Sequence, residues 1–105
     1  MSKIKRKELR PQLSFSKVQV DIVLPVFGRP DLLRQCLASL EETAGQLAYQ
    51  LIIVDDCSPP DTKDELAKIY KSLPSGTKVI RNRENLGFPA TANRGALAGR
   101  APYII

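Results

Sequence analysis

The sequence predicts an α/β protein: a Rossmann-like parallel sheet with alternating helices, in the order β-α-β-α-β-α-β. Three observations predict it. Short apolar runs rich in β-branched residues, such as Val20 to Val26 and Leu51 to Val54, read as strands buried on both faces. Stretches with apolar residues at helical spacing separate them. No strand follows directly on another without such a stretch, which implies parallel pairing through right-handed crossovers.

The elements follow in order. Val20-Asp21-Ile22-Val23-Leu24-Pro25-Val26 is the first strand, and regular pairing is expected to end at Pro25, which has no N–H for the ladder. Gly28-Arg29 turns the chain into a helix that opens at Pro30, with Asp31 at the positive end of its dipole. Leu33, Cys36, Leu37 and Leu40 form its apolar stripe, so Cys36 is expected in the core, and the helix fades around Thr43-Ala44-Gly45. Leu51 to Val54 form the second strand, ending at Asp55-Asp56. After the loop Cys57-Ser58-Pro59-Pro60, Asp61 is expected to cap a second helix, with Asp64 three residues on and Leu66, Ile69, Tyr70 and Leu73 on its apolar face. Thr77 to Arg81 form a short third strand. A polar loop from Asn82 to Phe88 leads into a third helix over Ala90 to Arg100, whose Ala and Gly content predicts close packing on the sheet. Pro102 to Ile105 begin a fourth strand.

At 105 residues the chain is sized for one modest core. Its net charge of +5 is concentrated in the first ten residues, which hold Lys3, Lys5, Arg6, Lys7 and Arg10 against Glu8 alone. Residues 1–17 are therefore read as a basic, flexible tail and 18–105 as the folded domain. The tail has no aromatic interleaving or apolar run, so specific nucleic-acid binding is not expected, and a polyanion-binding role is the weakest of three functional readings. Two isolated cysteines without a histidine argue against a metal site and suit a reducing, cytoplasmic setting. No segment is long and apolar enough to span a membrane, and no signal peptide is evident.

Ligands on such sheets bind at the carboxyl ends of the strands, which points to Pro25–Gly28, Asp55–Ser58 and Arg81–Phe88. Asp55 and Asp56 close a strand, and alternation sends their carboxylates in different directions: one to the crevice, the other to a loop or helix end. An ionised carboxylate only accepts hydrogen bonds, so it suits a donating ligand edge such as a uracil N3–H. A lone Gly28 does not make a dinucleotide fingerprint, and no phosphate-cradling P-loop is present.

Val20 to Phe27 with Arg29 and the leucine-striped helix, then Leu51 to Ser58, then Asn85-Leu86-Gly87-Phe88 and Asn93-Arg94-Gly95 resemble a family 2 glycosyltransferase of the GT-A fold. The resemblance covers roughly residues 18–105 and corresponds to the N-terminal, nucleotide-sugar-binding half. It implies that Pro25, Val26 and Phe27 line a base pocket, that Asp56 accepts from uracil N3–H with Asp55 beside it near base and ribose, and that Gly87 lets the backbone approach the nucleotide. Asn93 would hold that loop or the donor, and Arg81, Arg83 and Arg94 would be phosphate-side neighbours. For Phe27 and Phe88, core packing and base contact are equally open. The implied partner is a nucleotide-diphosphate sugar, with UDP-sugar favoured and the acceptor unknown.

The chain departs from the family in having no Asp-x-Asp motif, whose acids bind a divalent metal on the donor diphosphate. No catalytic residue and no metal ligand is therefore expected in this chain, and Mg²⁺ or Mn²⁺ is expected for the full-length enzyme. The fragment would be inactive alone and would self-associate through its sheet. The competing reading is a non-catalytic nucleotide-binding or protein-interaction module with half a GT-A fold.

Overall fold

The computed structural model describes residues 4–5, 18–43 and 48–105. Its elements are β1 (Ile4–Lys5), β2 (Val20–Val26), α1 (Pro30–Thr43), β3 (Tyr49–Asp55), a 3₁₀ turn (Pro60–Thr62), α2 (Lys63–Lys71), β4 (Lys78–Arg81), α3 (Phe88–Ala98) and β5 (Tyr103–Ile104). They build one five-stranded sheet in the order β1-β5-β2-β3-β4. The four strands β5, β2, β3 and β4 are parallel, as the alternation of strands and helices predicts.

Strand alternation sorts the two layers. Val20, Ile22 and Val26 of β2, with Leu51 and Ile53 of β3, pack with Leu33 of α1 and with Leu66 and Ile69 of α2 in one cluster. The opposite face carries Asp21, Val23, Ile52 and Val54 against α3. A Cβ on Gly95 would lie 2.4 Å from Val23 Cγ1 and 3.0 Å from Val54 Cγ2, so the small residues of α3 do set a close approach. Asp21 is fully buried on this face and accepts the Ala101 N–H at 3.0 Å, fastening the turn between α3 and β5.

Several details differ from the sequence reading. Pro25 stays in the β2–β3 register, opposite Val54, and pairing continues to Val26 opposite Asp55. The Val23 N–H donates toward β5, to the Ile105 carbonyl. By strand parity the Pro25 nitrogen points to the same side, away from β3, so its missing N–H leaves the β2–β3 ladder intact. Cys36 is exposed rather than in the core, because the inward stripe is Leu33, Leu37 and Leu40, and Cys36 lies on its flank. Asp61 makes no cap: a 3₁₀ turn takes up Pro60–Thr62, and Thr62 precedes α2 without a side-chain cap bond. Asp64 and Glu65 still place negative charge in the first turn of α2, where the dipole favours it. Within the basic head, expected to be solvated throughout, Ile4 and Lys5 pair antiparallel with Ile104 and Tyr103. The reason is the otherwise open edge of β5, whose unpaired backbone groups a passing strand satisfies. Residues 6–17 lie outside the described residues.

Candidate functional site

The carboxyl ends of β2 and β3 meet the N-terminus of α3 at a small cleft of about 110 Å³, lined by Pro25, Val26, Phe27, Asp56, Phe88 and Thr91. Each lining residue has a reason to be there. Pro25 and Phe27 alternate with Val26 onto the α3 face of the sheet, and Asp56 continues the same parity as Ile52 and Val54. Gly87, at φ 87°, supplies the left-handed turn into α3, and nothing lies within 4 Å of where its Cβ would sit. Conformation rather than space is what calls for glycine at this position.

Asp56 is the hub. It is 5% exposed, and its Oδ1 accepts from Asn82 Nδ2 at 2.8 Å and from the Leu86 N–H at 2.7 Å. Its Oδ2 accepts from the Gly87 N–H at 2.9 Å. The carboxylate thus ties the β4–α3 loop to the end of β3 and sits at the positive end of the α3 dipole. Burial opposes its ionisation, but the bonds from Leu86, Asn82 and Gly87 outweigh that and hold the carboxyl below its ordinary value. The Thr91 side chain also favours the ionised form, and Oδ2, with its bond from the Gly87 N–H, has capacity for a further donor.

Behind Asp56 stands Asn82, 1% exposed, whose amide also donates to Thr91 Oγ1 at 3.0 Å and whose Oδ1 accepts from Arg94 Nη1. Arg94 Nη1 also donates to the Arg81 carbonyl at 3.4 Å, so its guanidinium clasps β4. Asn82 and Thr91 were absent from the sequence-derived site. Asn82 sits in a polar run, Arg81-Asn82-Arg83, with no periodicity to mark it. Thr91 had one faint signal, its position four residues before Gly95 on the sheet-facing side of α3.

Asp55 faces the other way, as alternation requires. Its Oδ1 accepts the Ser58 N–H at 2.8 Å and lies 3.3 Å from Arg81 Nη1, while its Oδ2 accepts the Tyr70 hydroxyl at 2.8 Å. It therefore lines a separate cavity of about 520 Å³ on the α2 side, with Lys63, Tyr70, Val79 and Arg81. Burial and the Asp55 carboxylate push the Tyr70 hydroxyl far above its ordinary value, so it remains a donor. Arg81 also donates to the Ser58 carbonyl, and its guanidinium serves the β3–α2 loop. The structure thus brings Pro25, Val26, Phe27 and Asp56 to one cleft, with Gly87 at its edge, and leaves Asp55 and Arg81 on the opposite face. Arg83 and Asn93 are exposed, and the β4–α3 loop is tied down by the bonds of Asn82, Leu86 and Gly87 to Asp56.

Among the described residues no group of three or more His, Cys, Asp or Glu is placed to hold a metal ion. Asp55 and Asp56 in particular do not fit a shared cation, since they lie on opposite faces and each is engaged by protein donors. Among the same residues no helix is long and apolar enough to cross a membrane.

Comparison with known proteins agrees with this architecture. The chain is 32% identical over 90 residues to the poly(ribitol-phosphate) beta-glucosyltransferase of Bacillus spizizenii, an alignment covering 84% of this chain and 14% of that protein. It is 24% identical over 78 residues to the dolichol-phosphate mannosyltransferase of Pyrococcus furiosus, covering 74% of this chain and 22% of that protein. The chain thus spans less than a quarter of the length of either relative. Among solved structures, the mannosyltransferase PcManGT from Pyrobaculum calidifontis, in complex with GDP-Man and Mn²⁺, superposes with a TM-score of 0.65 at 15% identity, over 82% of this chain and 26% of that one. That likeness carries the fold: a GT-A α/β sheet. The model for glycosyl transferase family 2 matches residues 21–105, from the first buried strand to β5, and the chain belongs to that family.

Proposed function

We propose that this domain binds a nucleotide-diphosphate sugar, with its base in the cleft of Pro25, Val26, Phe27 and Asp56, as the donor-recognition part of a glycosyl transfer to an acceptor. The observation that carries the reading is the convergence of these four residues at the carboxyl edge of the parallel sheet. The ligands of the Pyrobaculum enzyme, GDP-Man and Mn²⁺, support the ligand class. Uridine is favoured because the remaining acceptor direction on Asp56 Oδ2 matches the N3–H of uracil. On the phosphate side the role falls to Arg83, whose side chain is exposed, since the guanidinium groups of Arg81 and Arg94 are turned onto protein acceptors. A diphosphate leaving group calls for a divalent cation to neutralise its developing charge. The part proposed for this chain is recognition of the donor, and by itself it is expected to transfer no sugar.

The test is calorimetric titration of the chain with UDP, with and without Mn²⁺, beside UDP methylated at N3. The methyl group removes the donor and leaves the protein untouched. Binding of UDP at least about tenfold tighter than the methylated form, corresponding to one hydrogen bond onto a charged acceptor, supports both the cleft and the base. Equal affinity for the two overturns the role of Asp56, and no binding by folded chain overturns the nucleotide reading.

A further inference from the structure

We propose that Phe88 is the second wall of an aromatic clamp, so that the planar base enters between the rings of Phe27 and Phe88. The proposal rests on the nucleotide reading above and adds to it a residue that the sequence left open between core packing and contact. Both rings line the same cleft, and both are largely in water: Phe27 is 53% exposed and Phe88 70%. The floor between them, Asp56 and Thr91, is buried. Phe88 therefore does not serve the core, which α3 meets through Thr91 and Gly95.

Its position is nevertheless fixed. Gly87, immediately before it, is pinned by its N–H bond to Asp56, and Phe88 itself opens α3, whose helical backbone holds it. Two exposed rings lining one cleft, with a buried acceptor in the same cleft, fit a flat heterocycle with a donating edge. Stacking is tolerant of base identity because every base has a π-face. The clamp supplies affinity common to all nucleotides, and Asp56 adds a bond to a base whose edge donates, such as uracil at N3–H or guanine at N1–H.

The chain contains no tryptophan, so Phe88→Trp installs a single reporter in the clamp. UDP and GDP are titrated calorimetrically into the unaltered chain, Phe88→Ala, Phe88→Trp and, as a control, Leu97→Ala, which lies on the same helix outside the cleft and is 86% exposed. The clamp predicts that Phe88→Ala weakens both nucleotides by a similar factor of about ten or more, while its urea midpoint stays near that of the unaltered chain. Phe88→Trp keeps binding, and UDP but not inorganic pyrophosphate quenches its emission. Leu97→Ala binds as the unaltered chain does. Affinities for Phe88→Ala within twofold of the unaltered chain overturn the clamp and leave the nucleotide reading standing. So does Trp emission that responds alike to UDP and pyrophosphate. If the folded, unaltered chain binds neither nucleotide, the nucleotide reading falls and the clamp with it.

Discussion

Replacing Asp56 with asparagine conserves shape and removes one charge, and the geometry fixes what this does. The carboxylate receives three protein donors: Asn82 Nδ2 and the Leu86 N–H on Oδ1, and the Gly87 N–H on Oδ2. An amide has one acceptor oxygen. If that oxygen takes the Oδ1 position, the new NH₂ faces the Gly87 N–H; if it takes the Oδ2 position, the NH₂ faces two donors. One bond at least is replaced by opposed donors, and the bonds that survive lose their charge assistance. Bonds to a charged group contribute about 1.5–3 kcal/mol and an unmade buried one costs about 1–3 kcal/mol, with a further ~0.3–1 kcal/mol from the helix dipole. Because the cleft beside Asp56 admits water, the lower part of these ranges applies, giving a loss of about 2–3 kcal/mol. Against a domain stability of roughly 5–15 kcal/mol that loss is large, and at this size it lowers Tm by roughly 8–24 °C.

Urea unfolding of both chains from pH 7 to pH 3 measures the effect. Asp56 titrates below its ordinary value when folded, so its stabilisation is present above the unfolded pKa of about 3.9 and is lost as pH falls through the folded value. The difference between the two chains should hold steady from pH 7 to about 5 and narrow in stronger acid. A loss under about 0.5 kcal/mol at pH 7, the range of ordinary surface substitutions, would refute the view that Asp56 holds the β4–α3 loop.

Three further outcomes are expected. Gly95→Ala drives a methyl against Val23 and Val54 and should cost about 1–3 kcal/mol in urea unfolding by overpacking the α3–sheet contact. Tyr70→Phe removes one donor from Asp55, which keeps the Ser58 N–H and Arg81, so the loss by the same assay should be about 1 kcal/mol with nucleotide affinity unchanged. Deleting residues 1–6 uncovers the β5 edge and should raise the self-associated fraction in sedimentation at rising concentration.

The sequence by itself determined the sheet and its helices, because period-2 and period-3.6 patterns are local properties of the chain. Buried-type runs placed β2 and β3, the Leu33, Leu37 and Leu40 stripe placed α1, and strand parity already required Asp55 and Asp56 to diverge. It also fixed which loops gather at the carboxyl edge, since parallel strands with crossovers leave no alternative. What only the tertiary structure decided is where each polar group finds its partner. Asn82 bonds Asp56 across 26 residues, Tyr70 bonds Asp55 across 15, and Arg94 spends its charge on β4. Side-chain periodicity carries no record of such pairings, because a hydrogen bond depends on ångström-scale placement of groups distant in the chain. For the same reason Pro25 could remain in the ladder. The tolerance lies in which side of β2 its partner β3 occupies, and no local pattern around the proline encodes that.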